Sequence, residues 1–380
     1  MATYSEAVSV VHDFAVDILT GNPDIHVIGV GAKSGAPIAC ASGDDFCVTA
    51  VVTAKRTERE LRHENIRPFD LLLRETVREG LARSIETNVI ESGGPFRPLI
   101  SPRSRALRGK SGGGEARLDT RCHFNTLRCG ISIANPGSHY PQELSVGTLG
   151  AFVRDADGAI YLLSNNHILV INQDDYPGNA VIQPGTLDLT ELELKLMPTI
   201  SELTRVIEVA SVSCWVPFQF HTPPGLPPTN YVDAAIAELN DKRDHADIYR
   251  LCYGGGITGV APSNGVDYEG KPITSARVYK VGRTTGYTEG DIIMTTAAEL
   301  ISYPAGDVYF IDQLVVWPTP DNGDAFADNG DSGSLLLDDH HRAVGLIFAG
   351  APKGTLVNPM EMVLWEIRNA LGKQVELVTL

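Results

Sequence analysis

Gly330-Asp331-Ser332-Gly333-Ser334 is the stretch on which the reading of this chain turns. Glycines on either side of the Asp-Ser pair let the backbone bend sharply and leave room around the serine. The amides of Gly330 and Ser332 can then converge on one point as an oxyanion hole, where one such donor is worth about 3 kcal/mol of barrier. A strand-like run, Leu335-Leu336-Leu337, follows, and then Ala343 to Gly350. A serine hydroxyl is a poor nucleophile until an imidazole takes its proton and a buried carboxylate orients that imidazole. Two upstream residues fit those roles, His167 in Leu163-Ser164-Asn165-Asn166-His167 and Asp233 in Val232-Asp233-Ala234-Ala235-Ile236.

A histidine alone after an apolar strand is more often structural than catalytic. The context of His167 is better, because Ser164-Asn165-Asn166 starts a turn that would expose its ring at the end of the strand Ala159 to Leu163. Asp233 lies between Tyr231-Val232 and an apolar run, so the fold should bury it, and a buried carboxylate needs a donor such as an imidazole Nδ1–H.

Composition bounds the rest. The chain has 380 residues, 43% hydrophobic and 21% charged, enough for substantial cores and two or more domains. Its 37 glycines and 23 prolines suit a turn-rich β architecture. A net charge of -16 argues against generic nucleic-acid binding. No uninterrupted apolar window is long enough to span a membrane. Residues 1–18 lack a basic start and carry Glu6, His12, Asp13 and Asp17, which is not a secretion signal; they read as an amphipathic helix. Six cysteines in no CxxC pair read as reduced thiols of a cytoplasmic protein, although Cys122 and Cys129 could bridge in an exported one.

Three regions follow from the pattern. Residues 1–95 read as a small α+β domain for regulation or interaction, with strands at Ile25 to Val30, Phe46 to Val52 and Asn88 to Glu91 and helices at Arg56 to Ile66 and Leu71 to Ile85. Residues 96–121 are rich in Gly, Pro and Arg and read as an exposed basic linker, a self-cleavage site or a tether being the alternatives. From residue 122 to 380 come short strands and turns, such as Leu149 to Arg154 and Ile160 to Leu163 around Asp157-Gly158, and a closing helix at Met360 to Leu371.

Other motifs carry little. Gly254 to Gly259 fits GxGxxG, but Val260-Ala261-Pro262 follows in place of a helix. No paired ligand spacing supports zinc, and neither a metal nor another cofactor is called for. His340 and His341 sit in an acidic turn and read as solvated.

The segments around His167, Asp233 and Ser332, with Gly147-Thr148-Leu149-Gly150, resemble the trypsin-like (chymotrypsin-fold) serine peptidases. With Val281-Gly282-Arg283-Thr284-Thr285-Gly286, they more narrowly resemble intracellular bacterial members and the plant narrow-leaf trypsin-like proteins. The resemblance implies a mainly β fold of two perpendicular six-stranded barrels with the site between them. It implies that His167 is the general base, Asp233 its orienter and Ser332 the nucleophile of an endopeptidase. Gly330 and Ser332 would donate the oxyanion-hole amides. Phe326 would floor the primary pocket and Phe348, Ala349 and Gly350 would wall it, favouring apolar side chains; a register shift of two would instead put Asp324 or Asp328 there and select a basic one. No zymogen-type Ile-Val-Gly-Gly start is present, so pairing of a freed N-terminus with Asp331 is not expected. The expected partners are a protein or peptide substrate, with a regulatory protein or a second copy left open, and neither nucleic acid nor membrane. The rival readings are a catalytically latent trypsin-fold scaffold and an esterase or acyltransferase.

Overall fold

The computed structural model describes residues 3–41, 45–64, 66, 68–70, 73, 85–100, 119–137, 144–171, 177–244, 246–262, 277–320 and 325–380. The N-terminal helix Tyr4–Gly21 starts in a capping box between Thr3 and Glu6, which satisfies two backbone amides. Its apolar face, Ala7, Val10, Val11, Ala15 and Ile18, is fully buried. Strands β1 (Ile25–Ala32), β2 (Phe46–Val52), β3 (Thr87–Glu91) and β4 (Arg97–Pro98) follow, with the short helix Glu58–His63 between β2 and β3, within the expected helix at Arg56 to Ile66. Every residue of β2 is buried, as expected of a strand covered on both faces. The expected helix at Leu71 to Ile85 lies mostly outside the described residues, as do 101–118 of the basic stretch.

Next come β5 (Ser132–Ile133), β6 (Gly147–Thr148), β7 (Ala151–Asp155), β8 (Ile160–Ser164), β9 (Ala180–Ile182), β10 (Glu208–Trp215), β11 (Thr229–Asn230) and β12 (Ala235–Leu239). The remainder is β13 (Gly259–Val260), β14 (Arg277–Gly282), β15 (Gly286–Tyr303), β16 (Gly306–Pro318), β17 (Leu335–Asp338), β18 (Arg342–Ala351), β19 (Gly354–Pro359), the helix Met360–Leu371 and β20 (Val375–Leu377). The turn at Asp157-Gly158 joins β7 and β8 as an antiparallel pair, with Gly158 at φ 91.

The fold is mainly β with few helices. One sheet runs β20-β7-β8-β12-β10-β9. A twelve-stranded sheet contains the path β16-β19-β18-β17-β14-β15, and β15 also pairs with β16, so that path returns on itself. β1 pairs antiparallel with β15, which makes β1–β3 an extension of the large sheet. The N-terminal helix shares a buried cluster with Val278, Val316, Leu336 and Ile347 of that sheet. Residues 96–100 depart from an exposed linker: Phe96, Pro98 and Leu99 are buried, and β4 pairs with β18. All six cysteines are free, Cys122 exposed and Cys129 buried. Among the described residues no helix is long and apolar enough to cross a membrane.

One buried group is costly. Glu299 of β15 lies opposite Val27 and Phe310, is fully buried, and neither carboxyl oxygen has a partner among the described residues. Burial raises its pKa well above the ordinary 4.5. The folded chain therefore holds a proton that the unfolded chain releases above that value, and stability from this residue falls as pH rises. Glu299→Gln should melt higher than wild type at pH 8, with the gap closing towards pH 4. Thermal melts across that range check this, and a gap independent of pH would refute it.

Candidate active site

His167 sits on the one-turn helix Asn166–Leu169 that follows β8. The amide of Asn165 donates to the carbonyl of Asp233 at 2.7 Å, and that of Asn166 to Val216 at 2.6 Å, which fixes the turn. The Asp233 carboxylate is fully buried and accepts from His167 Nδ1, from the His167 backbone N–H at 3.2 Å and from the Tyr303 hydroxyl at 2.8 Å. Its own N–H donates to Asn358 Oδ1 at 2.9 Å, and Asn358 donates to Gln313 at 2.6 Å. A carboxylate only accepts, so Nδ1 carries a proton, and in the neutral ring the lone pair is on Nε2. That Nε2 is buried with no hydrogen-bond partner among the described residues. Tyr303 has its pKa raised well above the usual phenol value, by burial first and by Asp233 second, so it remains a neutral donor.

Ser332 lies in the turn before β17, where Gly330 and Gly333 take φ of 96 and 89, a region side chains rarely adopt. A Cβ at Gly333 would also fall 2.2 Å from Ser164 Oγ. The turn is pinned by Thr148 of β6, which pairs with β5 in a two-stranded sheet; its hydroxyl donates to Gly330 O at 2.9 Å and its N–H to Ser332 O at 2.8 Å. The buried Asp331 carboxylate accepts from Thr284 N at 2.7 Å, Thr285 Oγ1 at 2.7 Å and Asp328 N at 3.0 Å. The fully buried Lys280 ammonium is 3.6 Å away. Burial lowers the Lys280 pKa, and Asp331 opposes that shift. Asp331 thus has an internal cation as its partner.

The structure brings His167 and Asp233 together and leaves Ser332 turned aside. Its hydroxyl donates to the carbonyl of Phe348 at 3.0 Å. Of the two expected oxyanion donors, the Gly330 N–H donates to the carbonyl of Leu99 at 2.8 Å, while the Ser332 N–H has no partner among the described residues. Phe326 is buried, with Leu99, Ala327, Val344 and Ile347 in one apolar cluster, and the Lys280 ammonium is 5.8 Å from its ring centre. Asp328 is exposed, and Asp324 lies outside the described residues. Ala349 and Gly350 pair with Pro98 and Arg97. A cavity of about 580 Å³ opens alongside, bounded by Arg97, Pro98, Ile100, Ser302 and Tyr303 among others.

Sequence reasoning missed Tyr303, Asn358, Lys280 and Leu99. The Thr284-Thr285 pair lay in a quoted motif without an assigned task; it holds Asp331. Among the described residues, Asp338, Asp339 and His340 are the one grouping with metal-ligand spacing, but Arg342 already pairs with Asp338 at 2.7 Å.

Residues 123–378 match the family described as the Nal1 C-terminal domain, and the chain belongs to that family. No curated protein matches the chain. Among solved structures it is similar to Protease A of Thermobifida fusca, at 16% identity and a TM-score of 0.39 over 67% of this chain and 99% of that one. It is similar to the Nocardiopsis protease at 15% identity and a TM-score of 0.37, over 66% of this chain and 98% of that one. It is similar also to the chymotrypsin of Cellulomonas bogoriensis at 15% identity and a TM-score of 0.37, over 67% of this chain and all of that one, 100%.

Removing one partner of a buried ion pair leaves an uncompensated charge and costs about 3–5 kcal/mol. Asp331→Ala should lose at least that much in urea unfolding, because it also orphans Thr284 N, Thr285 Oγ1 and Asp328 N. Lys280→Met should cost less, since Asp331 keeps those donors; the reverse order would contradict the assignment.

Proposed function

We propose that this member of the Nal1 C-terminal domain family is a serine endopeptidase that hydrolyses peptide bonds of protein substrates through an acyl-enzyme. The observation that carries the reading is the buried Asp233–His167 pair, which leaves a bare imidazole Nε2 in a site that also holds Ser332 in a two-glycine turn. We read the closed path β14–β19 as one barrel, the sheet from β20 to β9 as the other, and the site as their shared cleft.

The cycle requires Ser332 to turn about its Cα–Cβ bond, away from Phe348 O, so that Oγ can meet Nε2. His167 takes the proton as Oγ attacks the scissile carbonyl, whose oxygen rests on the amides of Gly330 and Ser332. His167 then protonates the leaving amine, and water repeats the cycle on the ester. Asp233 keeps the tautomer and stabilises the imidazolium, while the Tyr303 hydroxyl holds the Asp233 carboxylate in line. Phe326 at the base of the primary pocket favours an apolar residue before the cut. The resting position of Ser332 favours a second reading, a latent site that awaits rearrangement.

A fluorophosphonate probe reacts only with an activated serine. Wild type should be labelled, and Ser332→Ala and His167→Ala should not. Equal labelling of Ser332→Ala would overturn the proposal, as would no labelling of either wild type or a Leu99→Ala variant, which loosens the hold on the Gly330 amide. Hydrolysis of a casein-derived peptide should drop about 10⁴-fold or more in Ser332→Ala. Tyr303→Phe, which removes one bond to a charged group worth about 1.5–3 kcal/mol, should lower kcat about tenfold to a hundredfold with the chain still folded.

A further inference from the structure

Residues Arg97 to Ile100 lie along β18, beside the turn that carries Ser332. They run antiparallel to β18, with Arg97 opposite Gly350 and Pro98 opposite Ala349. The Leu99 N–H donates to Phe348 O at 3.2 Å, and the Leu99 carbonyl accepts from Gly330 N–H at 2.8 Å. Gly330 is one of the two donors assigned to a developing oxyanion, so the carbonyl resting on it occupies the position of one under attack. The Leu99 side chain is 6% exposed and packs in the cluster that holds Phe326, Ala327, Val344 and Ile347. Gly350 makes room for it, since a Cβ there would fall 2.8 Å from Leu99 Cδ2. Strand addition of this kind takes affinity from main-chain bonds and selectivity from the side chains placed in pockets.

The geometry points to Arg97–Ile100 as an internal occupant of the substrate groove, with Leu99 in the primary pocket. The substrate class it templates is a peptide with leucine, or a residue of similar apolar shape, immediately before the bond that is cut. This rests on the serine-peptidase reading. Beside Phe326, at 5.8 Å from its ring centre, Lys280 already holds Asp331, so that carboxylate is not free to receive a basic side chain. Asp328, the described carboxylate that a shifted register would put at the pocket base, is exposed instead. A tethered occupant acts at a high effective concentration, so added substrate must displace it. Ser332 is held off meanwhile, its hydroxyl on the same Phe348 carbonyl that receives Leu99 N–H.

The test compares kcat/KM for 4-nitroanilides ending in Arg-Pro-Leu, Arg-Pro-Arg and Arg-Pro-Asp. The enzymes are full-length wild type, Leu99→Asp and Leu99→Ala, with Ser332→Ala as the blank in each background. The leucine peptide should be preferred about tenfold or more. Leu99→Asp, which unseats the segment, should raise its turnover about tenfold; Leu99→Ala should give a smaller rise and serves where Leu99→Asp does not fold. Preference for the arginine peptide, or unchanged rates in both Leu99 variants that fold, would overturn the inference. If hydrolysis depends on Ser332 but favours arginine, the peptidase reading stands and this inference falls. Hydrolysis undiminished in Ser332→Ala removes both.

Discussion

A carboxylate buried as completely as that of Asp233 is tolerable only if donors surround it, and the donors here come from separate parts of the fold. His167 supplies its backbone N–H and Nδ1 from the turn after β8, and Tyr303 supplies its hydroxyl from the last residue of β15. Asn358 of β19 accepts from the Asp233 amide and is itself fixed by Gln313 of β16. The two sheets therefore meet on one charge, and displacement of either would strand it. β15 also reaches the other half of the site. Its first residue follows Thr284-Thr285, which hold Asp331, so one strand of 18 residues links the serine turn to the histidine's anchor.

The second half is ordered by comparable means. The Lys280–Asp331 pair is wholly buried, and a buried pair is weak as a source of stability but strict about geometry. Because the cation comes from β14, the backbone from Asp328 to Ser332 is shaped as soon as the chain folds. Thr148 of β6 then bridges to β8: its hydroxyl and amide hold Gly330 and Ser332, and its carbonyl accepts from Ser164 Oγ of β8 at 2.8 Å. What differs from a site ready for attack is the Ser332 rotamer and the occupied Gly330 amide, while the turn around them is already ordered.

The parts legible in the sequence were those where chemistry narrows the choice of residue. Left-handed backbone at Gly330 and Gly333 calls for glycine, and a base–carboxylate pair calls for His and Asp. β2 could be read from its β-branched, apolar content and the helix Met360–Leu371 from its helical spacing of apolar residues. Tyr303 and Asn358 were illegible, since many residue types can donate to a carboxylate or accept from an amide, and neither stands in a distinctive local pattern. Lys280 stands between Tyr279 and Val281 in Arg277–Gly282, and no local pattern marks it as the partner of a carboxylate 51 residues on. Pairing of β1 with β15 joins segments more than 250 residues apart, and β-propensity says nothing of which edge a strand will choose. Phe96 to Ile100 resembled a linker because two paired residues are too few to show a period.

The N-terminal layer and the occupied groove are mechanically one system. From β3 the chain is fastened at once, with Ser92 N–H on Val52 O at 2.9 Å, Gly93 N–H on Thr53 O at 3.0 Å and Lys353 N–H on Ser92 O at 3.0 Å. Phe96 then packs with Phe348 and Leu356, so Leu99 arrives at Gly330 from a fixed point a few residues away. Short tethers give high effective concentrations only while both ends hold. One end is the β1–β15 pairing with the helix Tyr4–Gly21 across it, and the other is the Leu99 contact itself. Excising the layer would strip a partner strand from β15 and uncover the apolar cluster that Leu99 shares with Phe326. A change confined to Leu99 leaves that cluster's other members and the sheet in place. Occupancy of the groove and integrity of the core are thus separable at this one side chain, where the removal of a whole segment would confound them.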